Sequence, residues 1–189
     1  LFVCVYAQTG KLYSTDKELS NSLINKVYQD KKGFIWVATE DGLNKFDGNK
    51  FTVYKQNASG KESLLNNYVK TVFEDSSGRF WVVCINGVQR YDRAADSFIT
   101  FPIYHKERKI SPQMASNIIE RKNKEVWIGT YGQGIVTLQG DRFLSKDELN
   151  KKMQSYFIHS IYEDAHQRIW IATEDKGLFC YYPDEDRLQ

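Results

Sequence analysis

"GFIWVATEDGLNKFDG", residues 33–48, sets Trp36 in an unbroken apolar run and follows it at once with Glu40-Asp41-Gly42. Taken alone, the stretch is a buried strand and a turn. Three further copies change its meaning. Trp36, Trp81, Trp127 and Trp170 are the chain's only tryptophans, and they stand 45, 46 and 43 residues apart. Around them the sequence reads FIWVATEDG, RFWVVCING, EVWIGTYGQG and RIWIATEDKG. Each Trp is followed by a few apolar or small residues, then a polar turn ending in Gly42, Gly87, Gly134 or Gly177.

The surroundings repeat too. Upstream of each Trp lies a second apolar run: LINKVYQD, YVKTVFED, NIIERK and FIHSIYED. Downstream lies a third: GLNKFD, GVQRYD, GIVTLQ and GLFCYY. A fourth follows in FTVYKQ, SFITFP and RFLS, and as RLQ in the last copy. Four short β-like runs per period of 43 to 46 residues are the pattern of a β-propeller blade. The runs are too short and too rich in Val, Ile and aromatics for helix pairs. The Trp run does not alternate, as a sandwich strand would: Phe34, Trp36 and Ala38 line one face, Ile35 and Val37 the other. A strand apolar on both faces needs cover on both, which neighbouring blades supply. The reading is all-β: four four-stranded antiparallel blades of a partial, open propeller over residues 8–189. The blades fall at approximately 20–57, 64–102, 113–146 and 154–189.

The turns fit this pattern. Asp30 to Gly33 and Asp75 to Gly78 join first and second strands, with Gly taking positive φ. RKNKE in the third copy has no Gly, and Asn123 is expected in the left-handed place. Each buried indole N–H also demands a partner.

Composition narrows the function. The 189 residues carry 26 basic and 24 acidic side chains, a net +2 with no basic cluster, which gives no footprint for nucleic acid. Cys4, Cys84 and Cys180 lie far apart without metal-ligand spacing, so no metal is expected, and Cys84 and Cys180 read as buried apolar residues. His105, His159 and His166 do not cluster. GTYGQG lacks dinucleotide-loop spacing, and no hydrolase or metalloprotease motif occurs. No catalytic residue and no cofactor is predicted. LFVCVYA, residues 1–7, reads either as the remnant of a secretory signal peptide cut before Gln8 or as an ordinary apolar strand; the small residues favour the first. No stretch is long and apolar enough to span a bilayer.

LINKVYQDKKGFIWVATEDGLNKFDG resembles the two-component regulator propeller repeat, and GKLYSTDKELSNSLIN is similar to the segment before the first blade in that family. The likeness is best in the first and fourth copies. The second has Cys84-Ile85-Asn86 in place of Thr-Glu-Asp, and the third lengthens its turn to YGQG. The resemblance implies the periplasmic sensor part of a hybrid two-component system histidine kinase of Bacteroidetes type. Partners would be further blades, a downstream kinase of the parent chain and an oligosaccharide ligand. It also implies an N-terminal strand closing the ring, for which Lys11 to Ser14 (KLYS) has the look of a fourth strand.

In an antiparallel blade, the turn between strands two and three lies at the same end as the link to the next blade. Glu40, Asp41, Asn86, Tyr131, Gln133, Glu174, Asp175 and Lys176 therefore gather at one end, with the linkers NASGKESLLNN and HKERKISPQMASN. Carboxylates and amides orient hydroxyl-rich ligands and an aromatic stacks on them. The competing reading is ordinary solvated turn residues. Two further functions remain open: a protein–protein scaffold, and a propeller enzyme such as a lyase or glycosidase. Open apolar faces on the end blades also predict self-association.

Overall fold

The computed structural model describes residues 10–15, 18–58, 62–110 and 114–189. In chain order the first sheet is β1 (Ile24–Gln29), β2 (Ile35–Thr39), β3 (Gly42–Phe46) and β4 (Phe51–Tyr54). The second is β5 (Val69–Glu74), β6 (Phe80–Cys84), β7 (Gly87–Asp92) and β8 (Ser97–Phe101). A short hairpin, β9 (Ile103–His105) and β10 (Arg108–Lys109), precedes the third, β11 (Met114–Glu120), β12 (Val126–Tyr131), β13 (Ile135–Gln139) and β14 (Arg142–Ser145). Helix α1 (Asp147–Met153) leads to the fourth, β15 (Ile158–Glu163), β16 (Ile169–Thr173), β17 (Gly177–Tyr182) and β18 (Arg187–Leu188). Each blade is an antiparallel meander with its strands in sequence order. In the third, β9 adds to β14 in parallel and makes a sheet of six strands.

The blades stack in chain order through their first strands: β5 lies against β1 and β2, β11 against β5 and β6, β15 against β11 and β12. Burial follows. Every residue of β6, from Phe80 to Cys84, is buried, as a strand between two neighbours must be. Trp36 of blade one packs on Phe80 and Tyr91 of blade two, at 4.5 and 5.0 Å between ring centroids. Trp81 meets Phe143 of blade three at 5.6 Å, and Trp127 meets Tyr181 of blade four at 6.5 Å. Each of these three Trp thus faces the following blade, and burying one contributes about 2–3 kcal/mol by area.

One carboxylate per blade ties the indole to the first turn. Trp36, Trp81 and Trp170 donate Nε1–H to Asp30, Asp75 and Asp164 at 2.8, 2.9 and 2.9 Å. Asp30 also accepts the N–H groups of Lys32 and Phe34, each at 3.0 Å. Blade three has Arg121 where the others have Asp, and Glu125 takes the Trp127 indole instead, at 3.0 Å. The left-handed residue of that turn is Lys124 (φ 73°), not Asn123. It stands in the place of Gly33 and Gly78, while the Asn123 side chain accepts the N–H of Glu125 at 3.1 Å. Gln167 (φ 64°) fills the same place in blade four.

A second tie crosses the joints. The N–H one residue into each turn donates to a carboxylate at the end of the next blade's first strand: Lys31 to Glu74 (2.7 Å), Ser76 to Glu120 (2.8 Å) and Lys122 to Glu163 (2.6 Å).

Residues 11–14 form no strand. Tyr13 instead rests its ring on Phe46 and Phe51 of blade one. Helix α1 and the β9–β10 hairpin have no counterpart in the four-run repeat. The hairpin draws part of the linker HKERKISPQMASN out along the edge of blade three, because its backbone groups find a partner in β14. Cys84 and Cys180 are buried and free, and burial raises the Cys84 thiol pKa to about 12. Cys4 and residues 1–7 lie outside the described residues. Among those described, no helix is long and apolar enough to cross a membrane.

Candidate functional site

The turn from β2 to β3 is built the same way in three blades. A Thr at or next to the end of the second strand donates to the Gly carbonyl across the turn: Thr39 to Gly42 (2.8 Å), Thr130 to Gly134 (2.7 Å) and Thr173 to Gly177 (2.9 Å). Its oxygen accepts the N–H of Asp41, Gln133 or Lys176 at 3.1 to 3.2 Å. Gly42, Gly87, Gly134 and Gly177 all have positive φ. At Gly42 (φ 132°) a Cβ would also meet the Tyr54 carbonyl at 2.9 Å, so only glycine fits. Blade two has Cys84 for the Thr, and its turn lacks that clamp.

These turns carry the eight candidate residues, and some of them reach across to the next blade. Asp41 forms an ion pair with Lys55 at 2.6 Å and accepts from the Asn67 amide at 3.0 Å. The Lys55 hydrogen bond is the main reason its carboxyl lies below the usual range. The Tyr68 hydroxyl is pushed up in pKa by burial first and by the carboxylate of neighbouring Glu40 second. Asn67 and Tyr68 belong to the entry to blade two, so blade one's turn grips the next blade's entry. At the joint of blades three and four, the Glu174 carboxylate raises the pKa of the Tyr131 phenol, whose ring lies 5.4 Å from Phe157. Asp175 accepts the Ser155 hydroxyl at 2.5 Å. Tyr156 and Phe157 are exposed beside them. Asn86 reaches only the Leu65 carbonyl, at 3.5 Å, and its own carbonyl oxygen is buried without a partner. The Gln133 backbone carbonyl is held by Asn150 of α1 at 3.2 Å, and Lys176 lies in an exposed turn.

The contacts fall into two groups: Glu40, Asp41, Lys55, Asn67 and Tyr68 at one joint; Tyr131, Glu174, Asp175, Ser155 and Phe157 at another. Lys55, Asn67, Tyr68, Ser155 and Phe157 carry no repeat signal of their own, and only their place in or beside the linkers hints at them. A bulge near the start of every first strand sits at the same end, inserting Asn25, Lys70, Ser116 and His159. Bulges re-aim side chains at rims; Asn25 thereby reaches the Val69 carbonyl of blade two at 2.9 Å.

Concave surface lies elsewhere as well. A cleft of about 320 Å³ runs along the first strands of blades two to four, lined by Phe73, Ile118, Ile119, Glu120, Lys122 and Tyr162, with Glu163. Among the described residues no group of three or more His, Cys, Asp or Glu could hold a metal ion.

The family model described as two component regulator propeller matches residues 18–41, 63–86 and 152–175, the entry and first two strands of blades one, two and four. Histidine kinase P4 of Formosa agariphila is 48% identical over 46 residues, which are 24% of this chain and 3% of that protein. A solved structure described as the extracellular domain of a hybrid two component system from B. thetaiotaomicron superposes with a TM-score of 0.76 at 20% identity, over 88% of this chain and 24% of its own. Virginiamycin B lyase from Staphylococcus aureus does so at 0.62 and 12% identity, over 88% of this chain and 54% of its own. The chain therefore spans about a quarter of the first of these structures and a small fraction of the kinase. At such identities the structural likeness shows the fold alone, and one fold hosts both sensors and enzymes.

Proposed function

We propose, from the premise that this chain is built of two-component regulator propeller repeats, that it is a periplasmic sensing module of a hybrid two-component histidine kinase. It recognises a glycan-derived signal and performs no catalysis itself. The relay runs to membrane-spanning and kinase parts of a longer parent. The ligand end is the one carrying Glu40, Asp41, Asn86, Tyr131, Gln133, Glu174, Asp175 and Lys176.

The observation that carries this is the way polar side chains at that end bridge the joints. Asp41 accepts from the Asn67 amide across one joint, and Tyr131 lays its ring against Phe157 across another. A ligand that displaces either contact touches two blades at once, so binding biases how they sit together. The exposed rings of Tyr156 and Phe157, beside Tyr131 and two carboxylates, offer what a pyranose needs: an apolar platform and acceptors for its hydroxyls.

Calorimetric titration against a panel of oligosaccharides tests the reading. We expect heat with at least one glycan, and affinity lowered about tenfold, some 1.4 kcal/mol, by Tyr131→Ala or Glu174→Gln. Silence across the panel would leave the scaffold reading ahead.

A further inference from the structure

Three joints link the four blades, and each sets a cation over the face of its Trp. Two joints bring a carboxylate to that cation's neighbourhood. The middle one does not.

At the joint of blades one and two the cation is Lys45, which stands opposite Trp36 in register. Its ammonium lies 4.4 Å from the Phe34 ring and 5.4 Å from those of Trp36 and Tyr91, and it donates to the Tyr91 hydroxyl at 3.3 Å. Tyr91 and Tyr54 in turn donate to Asp96, Tyr54 at 2.7 Å. Asp96 sits in the turn from β7 to β8 with φ 50°. At the joint of blades three and four, Lys146 lies 4.8 Å over Trp127, Tyr181 donates to Asp186 at 3.0 Å, and Lys152 pairs with Asp186 at 2.6 Å. Each of these joints thus closes a chain of cation, tyrosine and aspartate.

The joint of blades two and three has the cations without the rest. Arg90 stands opposite Trp81, in the place of Lys45, and its guanidinium lies 5.6 Å over Phe101. Among the described residues Arg90 forms no ion pair. Arg79 lies 5.4 Å over Trp81. Asp75 takes its Nε–H at 2.6 Å and leaves its Nη groups without a hydrogen bond among the described residues. Leu138 occupies the place of Tyr91 and Tyr181, so no hydroxyl reaches in. The turn is shorter as well. Leu138 pairs with Phe143, five residues on, where Tyr91 pairs with Phe98 and Tyr181 with Leu188, seven residues on. The shorter turn has no counterpart of Asp96 or Asp186. Its own Asp141 is exposed and unpaired. Glu125 is already taken by Arg121 at 2.8 Å and the Trp127 indole at 3.0 Å.

Open space stands where the acceptor would be. A cleft of about 330 Å³ is lined by Arg79, Asn123, Lys124 and Leu138, and a second of like volume by Arg79, Arg90 and Arg93. Both lie at the end opposite Glu40 and Asp41. The blades on either side of the joint are in place, so the cleft belongs to the array itself.

We propose that this joint binds the oxyanion group of a small ligand (a sulfate, phosphate or carboxylate) on Arg79 and Arg90. The bound oxygens replace the aspartate that the flanking joints carry. Guanidinium suits the task because its planar fork bonds two oxygens of one anion, which an ammonium does not. Lys124 and Asn123 at the rim add a charge and an amide donor. The site is independent of the glycan reading, since it stands at the other end of the blades and needs no sugar.

NMR of the arginine Nε–H groups tests it, in separate titrations with sodium sulfate, phosphate and acetate at ionic strength held by sodium chloride. Arg79 and Arg90 signals should move saturably with at least one of the three, and the anion that saturates at the lowest concentration names the group. Arg90→Gln should weaken that binding about tenfold, and Arg90→Lys, which keeps the charge and loses the fork, about threefold. Arg108→Gln removes an equal charge from the exposed β10 and should leave binding unchanged. Arg90 is only partly buried, so its variants should fold, with circular dichroism as the check. Shifts that never saturate with any of the three anions overturn the proposal. So does binding that survives Arg90→Gln, or an Arg108→Gln chain that loses as much as Arg90→Gln, which would mark diffuse surface charge.

Discussion

Blades three and four carry nearly the same Trp strand, VWIGT and IWIAT, and both indoles are held by a carboxylate. Trp127 is nevertheless fully buried, while Trp170 reaches solvent. The difference is Tyr181, which covers Trp127 from the next blade and has no counterpart over Trp170 among the described residues. A repeat's own sequence therefore fixes where its Trp points and what holds it, but the following repeat supplies most of the burial. Stability in such an array is a sum of blade terms and nearest-neighbour terms, and an interior blade owns two neighbours where an end blade owns one.

The sharpest way to break the comparison is to remove a Trp from each setting. Trp81→Ala, between two blades, should cost about 4 kcal/mol, the range for a large aromatic deleted from a core. Trp170→Ala should cost about half of that, because part of the indole never left water. Urea unfolding of the two variants at low protein concentration measures both. Equal losses would mean that blade four's own packing, not its neighbour, sets the value of the residue.

The carboxylate anchors give the next largest contrast. Asp75 is fully buried and serves the Trp81 indole, the Arg79 guanidinium (2.6 Å) and the Arg79 N–H. Asp75→Ala should cost about 2–3 kcal/mol, since it strands a buried donor and an arginine. Glu125→Ala in blade three should cost about 1 kcal/mol. Glu125 is half exposed, and Arg121 keeps its second partner, Glu163, at 3.2 Å. Chemical denaturation midpoints at constant m-value decide the order.

That substitution of anchors marks the limit of what the sequence makes legible. The period of the four tryptophans, the strands around them and the need for an indole acceptor can all be read from spacing. The exchange of Asp for Arg121 with Glu125 cannot, because it compensates two residues from the Trp instead of six. Glu74, Glu120 and Glu163 look like ordinary strand-end acids, and their partners stand more than forty residues away. Helix α1 is too short for a periodic signal, and no side chain caps its start. At the candidate site, the turn positions were legible and the pairings were not. Nothing local says that Asp41 pairs with Lys55 and Asn67, since each bond crosses from a turn to a linker.

Acid should separate the anchors from neutral packing. Burial works to raise the pKa of Asp30, but its bonds to Trp36 and Arg93 outweigh this and leave it below the ordinary 3.8. Glu125 lies below 4.5 and Asp164 below 3.8 for like reasons, with burial again opposed by indole and arginine hydrogen bonds. A lowered folded-state pKa gives stability that is complete above the unfolded value and is lost as pH falls through the folded one. The thermal midpoint should therefore hold steady near neutrality, begin to drop near 4.5 and keep dropping below 3.8. Asp30→Asn should flatten part of that fall while lowering the plateau. A decline that starts well above these values would assign the acid sensitivity to other groups.

The smallest expected effect sharpens the contrast between holding the fold and presenting a surface. Lys55 and Asp41 sit at 2.6 Å with side chains 43% and 42% exposed, and Asn67 shares the same carboxylate. An ion pair so open to solvent contributes about 0.5 kcal/mol or less. Lys55→Ala should leave the unfolding midpoint almost unchanged at moderate salt, because screening already weakens the pair. It should still free one Asp41 oxygen toward solvent and let that carboxyl titrate closer to its ordinary range, which NMR of the Asp41 side chain reads directly. A loss well beyond 1 kcal/mol would show the turn and linker to be a structural clasp of the joint, like the strand-end glutamates at the opposite end.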